Sequence, residues 1–308
     1  MQALRLVTRD SPLAMWQAEF VKDQLLAIHP HLVIQIFGMK TQGDKLLNDS
    51  LSKMGGKGLF VKELEEQLLA GNADLAVHSL KDLPPHLPKG LNIGAYLARE
   101  DSRDVLVSLK SLKLHELPPQ ARIGTSSLRR QWQLKSLRFE LETLALRGNL
   151  GTRLRKLQEG QFDAIVLAAA GLKRLGLEQQ ITEFFAIDTM LPSAGQGVLA
   201  IECREDDIQL QVLLQPLHHW PTAQTSRAER RLIAELNSGC QAPVAAFGQI
   251  EAEQLKLRAW VGSQTGQHIQ AELTASVEEP EALGAGLAEI LYQKGAATLL
   301  EDWRNHSH

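Results

Sequence analysis

The stretch ARIGTSSLRRQWQLKSLRFELETLALRGNLGTRLRK, residues 121–156, concentrates positive charge in a chain that is otherwise acidic. It holds seven arginines and two lysines against two glutamates, a net charge of +7. The 308-residue chain has a formal net charge of −3, so the remainder carries −10. Arginine predominates where planar, bidentate recognition of carboxylate or phosphate matters, so the stretch favours a site for a small polyanion.

Two parts of this stretch have the pattern of a strand-to-helix turn. Residues 124–130 and 147–153 each place small or hydroxylic residues before a helix whose first turn carries arginine. The N–H groups and the positive dipole end of such a helix add to guanidinium groups in binding an anion. The alternatives are a solvated basic helix face, which the arginine excess disfavours, and nucleic acid binding. Nucleic acid is disfavoured because the chain is acidic and the stretch offers only Trp132 and Phe139 for stacking.

The same strand–turn–helix pattern recurs along the first two thirds of the chain. Predicted strands at residues 4–8, 32–39, 73–80 and 163–168 alternate with helices, which indicates an α/β fold with parallel-rich sheets. A weak internal sequence similarity relates Thr8, Trp16 and Gln17 to Thr125, Trp132 and Gln133. It is consistent with two similar lobes facing a cleft.

Two segments that connect the predicted lobes, and a final region of the chain, complete the predicted organisation. Residues 99–104 and 191–197 are interpreted as interdomain hinges, and a helix, antiparallel strands and a closing helix predict a C-terminal α+β domain. The predicted domains are lobe 1 (1–98 with 198–216), lobe 2 (103–192) and the C-terminal domain (220–308).

Composition limits the class of protein. With 44% hydrophobic and 22% charged residues, this is an ordinary globular chain. No apolar run approaches the roughly 20 residues of a membrane span, and the N-terminus lacks a signal-peptide core, so a cytoplasmic location without membrane partners is expected. The histidines show no ligand spacing, so no metal site is predicted.

Several single residues are candidates for a site. Asp82 is predicted on a rigid turn at the carboxyl end of a strand, where open α/β sheets bind ligands, although a turn-capping residue is the commoner role. Gln17 either makes a core hydrogen bond or faces a cleft with Arg9 and Ser11. The glycine-bearing segment 45–58 is interpreted as a mobile lid, since it lacks the Ser or Thr of a P-loop.

The two thiols differ in their sequence surroundings, although both are expected to be reduced in the cytoplasm. Cys203 falls on an apolar strand and is interpreted as structural. Cys240 lies in a Gly/Pro loop where a thiol is reachable, with an inert buried thiol as the alternative.

Seven motifs follow one another along the chain: TRDSPLA (8–14), GGKGLF (55–60), HSLKD (78–82), GTSSLRR (124–130), RGN (147–149), GLKR (171–174) and GCQAP (239–243). In this order they resemble the hydroxymethylbilane synthase, or porphobilinogen deaminase, family. The match covers nearly the whole chain.

The resemblance implies a transferase of heme, porphyrin and tetrapyrrole biosynthesis. Such enzymes resemble two-lobed periplasmic binding proteins with an added α+β domain, and they act as monomers. They join four porphobilinogen units head to tail, releasing ammonia, to give linear hydroxymethylbilane. A dipyrromethane cofactor, bound as a thioether to the cysteine matching Cys240, is the primer.

The resemblance also implies roles for particular residues. Asp82 is the catalytic carboxylate, which stabilises the azafulvenium cation left when the amine departs. Lys57 and Phe60 belong to the lid. The cofactor contacts besides Cys240 and Asp82 are Lys81, Thr125, Ser127, Arg129 and Arg130, and the substrate contacts are Arg9, Ser11, Gln17, Arg147, Arg153 and Arg174.

Two rivals come from other classes of protein. A periplasmic-type binding module without chemistry shares the two lobes, but it normally has an export signal and gives Cys240 no task. An RNA-binding protein is disfavoured by the net charge of −3.

Overall fold

The structure is a computed structural model, and it describes residues 3–41, 61–238 and 242–306. The chain divides into two compact units, one formed by Met1–Glu100 with Val198–Ala223 and the other by Asp101–Gly197 with Gln224–His308. The finer division into three domains stays a prediction.

The strands in chain order are β1 (Leu4–Arg9), β2 (Ile34–Met39), β3 (Leu75–Ser79), β4 (Leu91–Tyr96), β5 (Asp104–Ser108), β6 (Arg122–Gly124), β7 (Glu142–Leu144), β8 (Ala164–Ala168), β9 (Glu183–Phe184), β10 (Leu199–Arg204), β11 (Val244–Glu251), β12 (Gln254–Gly262) and β13 (His268–Ser276). The described α-helices are α1 (Pro12–Ile28), α2 (Lys62–Leu69), α3 (Leu128–Leu137), α4 (Leu150–Gln158), α5 (Ala169–Arg174), α6 (Ile208–Leu214), α7 (Trp220–Glu235), α8 (Pro280–Gln293) and α9 (Ala296–His306).

The first unit is built on a five-stranded sheet in the order β2-β1-β3-β10-β4. The pairs β1–β2 and β1–β3 are parallel, whereas β10 is antiparallel to both β3 and β4. Helix α1 buries Ala18, Val21 and Leu25 in the same core as Leu6 and Ile201. The apolar spacing of α1 therefore positions the turn between β1 and α1 over the end of the sheet.

The second unit contains a sheet with the same pattern, in the order β7-β6-β8-β5-β9. Here β6 is parallel to β7 and β8, and β5 is antiparallel to β8 and β9. The α/β class with two similar sheets is therefore confirmed. The sheets are mixed because β5 and β10 each enter directly after the chain has passed from the other unit, so no βαβ crossover fixes them parallel.

The rest of the second unit is α+β, as predicted. Strands β11, β12 and β13 form an antiparallel meander, and α8 packs Leu283, Leu287 and Leu291 in one core with Leu255 and Leu257. Helix α7 begins at Trp220, and Pro221 is compatible with its first turn because the missing N–H of proline costs no hydrogen bond there.

Candidate active site

A pocket opens in the first unit where β1 and β3 end. The space within it, together with open solvent at its mouth, amounts to about 410 Å³. Four of the predicted site residues line it together: Arg9, Ser11, Gln17 and Asp82. Because β1 and β3 are parallel neighbours, the residues that follow them meet at one edge of the sheet.

The turn between β1 and α1 forms one wall of this pocket. Ser11 is the N-cap of α1, and its hydroxyl accepts a hydrogen bond from the backbone N–H of Ala14 at 3.3 Å. Pro12 occupies the first helical turn, where its missing N–H costs nothing. The cap therefore fixes Arg9 and Ser11 at the edge of the sheet, as the sequence predicted.

Gln17 joins this wall to β3. Its side chain is 2% exposed, and its Nε2 donates to the hydroxyl of Ser79 at 3.0 Å. The hydroxyl of Ser79 in turn lies 3.3 Å from Oε1 of Gln17. Both alternatives for Gln17 therefore hold, since it makes a buried hydrogen bond and also lines the pocket.

Asp82 lies in a single 3₁₀ turn, Leu80–Asp82, directly after β3. The backbone N–H of Leu80 donates to Val198 at 2.9 Å, and that of Leu83 closes the turn on Leu80 at 3.1 Å. Leu83 then adopts an extended conformation before Pro84, as expected for a residue preceding proline. The rigid turn is confirmed, and it presents an exposed carboxylate to the pocket, with Lys81 half-buried beside it.

The predicted site residues of the second unit also follow parallel strands. Thr125 and Ser127 follow β6, Arg147 follows β7, and Arg174 lies in α5 after β8. The two predicted helices are confirmed as α3 and α4. Ser127 caps α3 by accepting from the N–H of Arg130 at 3.5 Å, and Asn149 caps α4 by accepting from Thr152 at 2.9 Å.

Arg129 and Arg130 are buried, at 3% and 6% exposure, around the carboxylate of Asp104. Nη1 of Arg129 donates to Asp104 at 2.6 Å, and Nη2 of Arg130 donates to it at 2.8 Å. Gln196 adds a third donor at 2.9 Å. Burial alone would raise the pKa of Asp104, but the charges of both arginines and these hydrogen bonds hold its pKa well below the usual range.

The arginine-rich stretch is largely paired within the chain. Ion pairs with carboxylates are formed by Arg122, Arg129, Arg130, Arg138 and Arg155. Nε of Arg153 donates to the carbonyl of Gly148 at 2.8 Å. Outside the stretch, Nη2 of Arg174 donates to the carbonyl of Gly197 at 2.7 Å. A solvated basic face is therefore the wrong description of Arg129 and Arg130, which belong to the interior.

Three predicted site residues, Lys57, Phe60 and Cys240, lie outside the described residues, as does the lid segment 45–58. The other thiol, Cys203, is fully buried, and its pKa is raised to about 11 by burial, with the charges of Asp207 and Glu202 adding to the effect. An interior thiol with a raised pKa is unreactive, which confirms a structural role for Cys203. None of the helices in the described part of the chain is long and apolar enough to cross a membrane.

Two family models together match most of the chain. The model "Porphobilinogen deaminase, dipyromethane cofactor binding domain" matches residues 4–212, and "Porphobilinogen deaminase, C-terminal domain" matches residues 223–293. The chain belongs to the porphobilinogen deaminase family. It is a transferase that polymerises porphobilinogen into hydroxymethylbilane with a dipyrromethane cofactor, and it therefore acts in porphyrin and heme biosynthesis.

The chain is also similar in fold to solved structures that include solute-binding and periplasmic proteins. An ancestral cationic amino acid solute-binding protein is 12% identical, with 70% of this chain and 87% of that chain covered, at a TM-score of 0.45. The periplasmic VFT2 domain of Bordetella pertussis BvgS is 15% identical over 69% and 85%, at 0.41. A Salmonella typhimurium periplasmic binding protein with high arginine specificity is 13% identical over 70% and 92%, at 0.40.

The residues of the pocket fit the cofactor of a porphobilinogen deaminase. A dipyrromethane carries carboxylate side chains, which need cations and hydrogen-bond donors, and pyrrole N–H groups, which need an acceptor. The pocket wall provides the guanidinium of Arg9, the hydroxyls of Ser11 and Ser79, and the carboxylate of Asp82. The pocket lining thus provides both the hydrogen-bond donors and the acceptor that a dipyrromethane needs.

Sequence reasoning missed two sets of buried charges in this deaminase. Asp104 was placed in a charged hinge, yet it is 0% exposed and holds both arginines. His78, Glu202 and Glu65, at 5%, 0% and 7% exposure, lie in the first unit, and His78 lines the pocket. The available signal was a charged residue in each apolar strand, Asp104 at the start of β5 and Glu202 within β10.

Proposed function

We propose that porphobilinogen reacts in the pocket of the first unit and that Asp82 is the catalytic carboxylate. The observation that supports this is the convergence of Arg9, Ser11, Gln17 and Asp82 on one pocket at the ends of β1 and β3. Departure of the amine from porphobilinogen leaves a cation delocalised over the pyrrole. A carboxylate held on a rigid turn stabilises that cation by its charge and by accepting the pyrrole N–H.

The carboxylate side chains of the pyrroles are proposed to bind the arginines. Arg9 does so for the substrate in the first unit, and Arg147, Arg153 and Arg174 do so at the strand ends of the second, while Arg129 and Arg130 bind those of the cofactor. Both hydrogen bonds that Arg129 makes to described residues use Nη1, so its planar guanidinium has further donors. Ser11, Gln17, Lys81, Thr125 and Ser127 add hydrogen bonds.

Cys240 is proposed to hold the cofactor as a thioether, and Lys57 and Phe60 to belong to a lid over the pocket. When bound, the cofactor supplies the primer to which substrate units are joined. The enzyme is further proposed to act as a cytoplasmic monomer without nucleic acid or membrane partners, in keeping with its net charge of −3.

The test is single-turnover release of ammonia by Asp82→Asn and Asp82→Glu. The asparagine variant keeps the shape and loses the charge, so we expect a loss of about a hundred- to thousandfold, as when one preorganised electrostatic group is removed. The glutamate variant keeps the charge and displaces it by one methylene, so its loss is smaller. Substrate binding, which depends on the arginines, survives in both.

The intact mass of each purified variant shows whether the dipyrromethane cofactor is attached. It therefore distinguishes a defect in catalysis from a defect in cofactor attachment. Cys240→Ser provides the unloaded reference and Cys203→Ser the loaded one, since Cys203 is buried. A fully loaded Asp82→Asn protein that turns over within a few fold of the wild type contradicts the proposal and leaves Asp82 as a turn residue.

A further inference from the structure

One edge of the buried guanidinium group of Arg129 has no partner among the described residues. The side chain is 3% exposed, and both of its hydrogen bonds use Nη1, to Asp104 at 2.6 Å and to the carbonyl of Leu191 at 2.7 Å. Nε and Nη2 present their N–H groups along the edge that binds a carboxylate through two parallel hydrogen bonds. Neither nitrogen is among the described side-chain atoms that are buried without a partner, so both keep some contact with solvent. We call this edge the open fork of Arg129.

The neighbouring residue, Arg130, has the same edge occupied. Its Nε and Nη2 donate to Oδ1 of Asp104 at 3.1 Å and 2.8 Å, and its Nη1 donates to the carbonyl of Val166 at 3.0 Å. Arg130 thus keeps one N–H on each of Nη1 and Nη2, whereas Arg129 keeps a complete bidentate edge. Two adjacent arginines of helix α3 are therefore available to a ligand in different ways.

Asp104 holds this arrangement in place. Its carboxylate is 0% exposed, and Oδ2 accepts from Arg129, while Oδ1 accepts from the neighbouring arginine and from Gln196 at 2.9 Å. The other acceptor of Arg129 is also fixed, because the side chain of Gln133 makes two hydrogen bonds with the backbone of Leu191, at 2.8 Å and 3.0 Å. Nη1 of Arg129 is therefore held by two fixed acceptors, which sets the plane of the guanidinium group and the direction of the open fork.

The buried charges around Asp104 do not balance. Two guanidinium groups, those of Arg129 and Arg130, form ion pairs with this one carboxylate. One positive charge is left over, and an uncompensated buried charge is costly. A carboxylate bound at the open fork would provide both the missing negative charge and two hydrogen-bond acceptors.

We propose that the open fork of Arg129 binds one carboxylate of the dipyrromethane cofactor bidentately, and that Asp104 is a positioning residue which fixes the fork for this contact. The contact rests on the proposed binding of cofactor carboxylates by Arg129. Because the fork is held before the ligand arrives, little side-chain freedom is lost on binding. Arg130 adds single hydrogen bonds to the cofactor and holds Asp104.

The first test follows the arginine Nε–H groups by NMR of protein labelled with ¹⁵N-arginine, and it needs no measurement of activity. The loaded wild type is compared with unloaded Cys240→Ser protein, and the two signals are assigned by their loss in Arg129→Lys and in Arg130→Lys. Cofactor loading should slow the exchange of the Arg129 Nε–H with water on the order of tenfold or more, because this N–H gains a partner. The Arg130 Nε–H is bonded to Asp104 in both forms, so its exchange should be slow in both.

Arg122 is the matched control for this comparison. Its Nε donates to Asp163 at 3.1 Å, in an ion pair whose side chains are both 41% exposed, so its exchange should not respond to loading. A change at Arg122 as large as that at Arg129 would mean that loading tightens the whole unit, and it would overturn the assignment of the fork. Unchanged exchange at Arg129 also overturns the proposal.

The second test measures, by intact mass, how fast protein produced in cells without porphobilinogen acquires the cofactor when porphobilinogen is added. Arg129→Lys keeps the charge but cannot form a bidentate pair, so attachment should slow about ten- to hundredfold. Asp104→Asn should slow it by a similar factor. In the double variant the two losses should not multiply, because both changes remove the same oriented fork. Asp163→Asn, which breaks an exposed ion pair in the same unit, should attach the cofactor at the wild-type rate.

A purely structural role for Asp104 predicts other results. Folded Asp104→Asn protein would then acquire the cofactor at the wild-type rate, or its loss would multiply with that of Arg129→Lys. Either result overturns the positioning role. Circular dichroism checks the folding of each variant. If Asp104→Asn does not fold, Asp104→Glu takes its place in the same comparison, since it keeps the charge and displaces it by one methylene.

The outcomes also separate the fork from the proposed function. If loaded Asp82→Asn is severely impaired while the exchange of Arg129 does not respond to loading, the reaction site stands and the open fork is not a cofactor contact. If Asp82→Asn turns over like the wild type, the proposed reaction site fails, and the exchange of Arg129 still decides the role of the fork. If Cys240→Ser still carries the cofactor, the proposed thioether fails, and protein from cells without porphobilinogen provides the unloaded reference.

Discussion

The two five-stranded sheets of this deaminase have the same strand order and the same parallel and antiparallel pairs, but they bury different ionisable groups. In the second unit one carboxylate, Asp104, is shared by two guanidinium groups, which leaves a net charge of +1. In the first unit two carboxylates, those of Glu65 and Glu202, are buried together with the imidazole of His78. Strand order therefore does not determine which ionisable groups are buried, and a few side chains do.

The positions responsible can be matched by register and by helix cap. Counted from the N-caps Ser11 and Ser127, the second and third residues are Leu13 and Ala14 in α1 but Arg129 and Arg130 in α3. The strand residue opposite the last residue of β3 is Leu199, and the one opposite the last residue of β8 is Asp104. Two arginines and their carboxylate thus replace three apolar residues together.

This exchange suits the chemistry of a polymerising deaminase. A growing pyrrole chain carries many carboxylates, and a unit with an excess of buried positive charge favours their binding. Each joining step instead passes through a cation, and the carboxylate of Asp82 in the first unit is proposed to favour its formation. The similar units thus differ in the sign of the group each is proposed to stabilise.

The largest effect on stability is expected from Asp104→Asn. The substitution leaves two buried guanidinium groups without a counter-ion, so we expect a loss of about 3–5 kcal/mol in the free energy of unfolding. Urea unfolding at pH 7 measures it. Asp163→Asn is the control, because Asp163 pairs with Arg122 where both side chains are 41% exposed, and such a pair contributes about 0–1 kcal/mol.

Asp104 also has a pH signature. Because its pKa is depressed in the folded state, its contribution is present at neutral pH and is lost as pH falls below the ordinary aspartate range. The Asn variant should lack this acid-dependent loss. Equal costs for Asp104→Asn and Asp163→Asn would contradict a special role for the buried carboxylate.

The next largest effect on stability is expected from Glu65, and its dependence on pH is opposite to that of Asp104. The folded state binds the Glu65 proton more tightly than the unfolded state, since burial raises the pKa from 4.5 to about 7. Stability is therefore lost as pH rises from about 4.5 to about 7, by roughly 3 kcal/mol from this residue. Glu65→Gln should remove that loss. The free energy of unfolding of the variant, relative to that of the wild type, should therefore increase from pH 5 to pH 8.

Urea unfolding at the two pH values tests the prediction, with Glu66→Gln as the control on the same helix. The Glu66 side chain is 58% exposed, so its substitution should give the same difference at both pH values. A Glu65 variant whose difference from the wild type does not change with pH would mean that Glu65 is not protonated in the folded state.

Local pattern predicted the elements of both units, whereas the buried charges depend on pairing that local pattern does not specify. The turns at Ser11, Asp82 and Ser127 carry their own signals in N-cap residues and proline, and these were confirmed. Asp104 looks like its charged neighbours in residues 99–103 until β5 is inserted between β8 and β9. His78 and Glu202 meet because β10 pairs with β3, although they are 124 positions apart in the sequence.

The smallest effects are expected at the two helix caps, where the units are alike. Ser11→Ala and Ser127→Ala each remove the hydroxyl that accepts from the first turn, at 3.3 Å and 3.5 Å, so each should cost about 1 kcal/mol. Thr or Asp at either position should restore most of it, because both side chains also cap a helix.

The double variant decides whether the caps act separately. Ser11 and Ser127 lie in different compact units and share no capping partner, so the two losses should add within about 0.3–0.5 kcal/mol in urea unfolding. If Ser127→Ala cost several times more than Ser11→Ala, its hydroxyl would be stabilising more than a helix end. The excess would then come from the first turn of α3, where Arg129 and Arg130 are held by Asp104 and have no counterpart in α1.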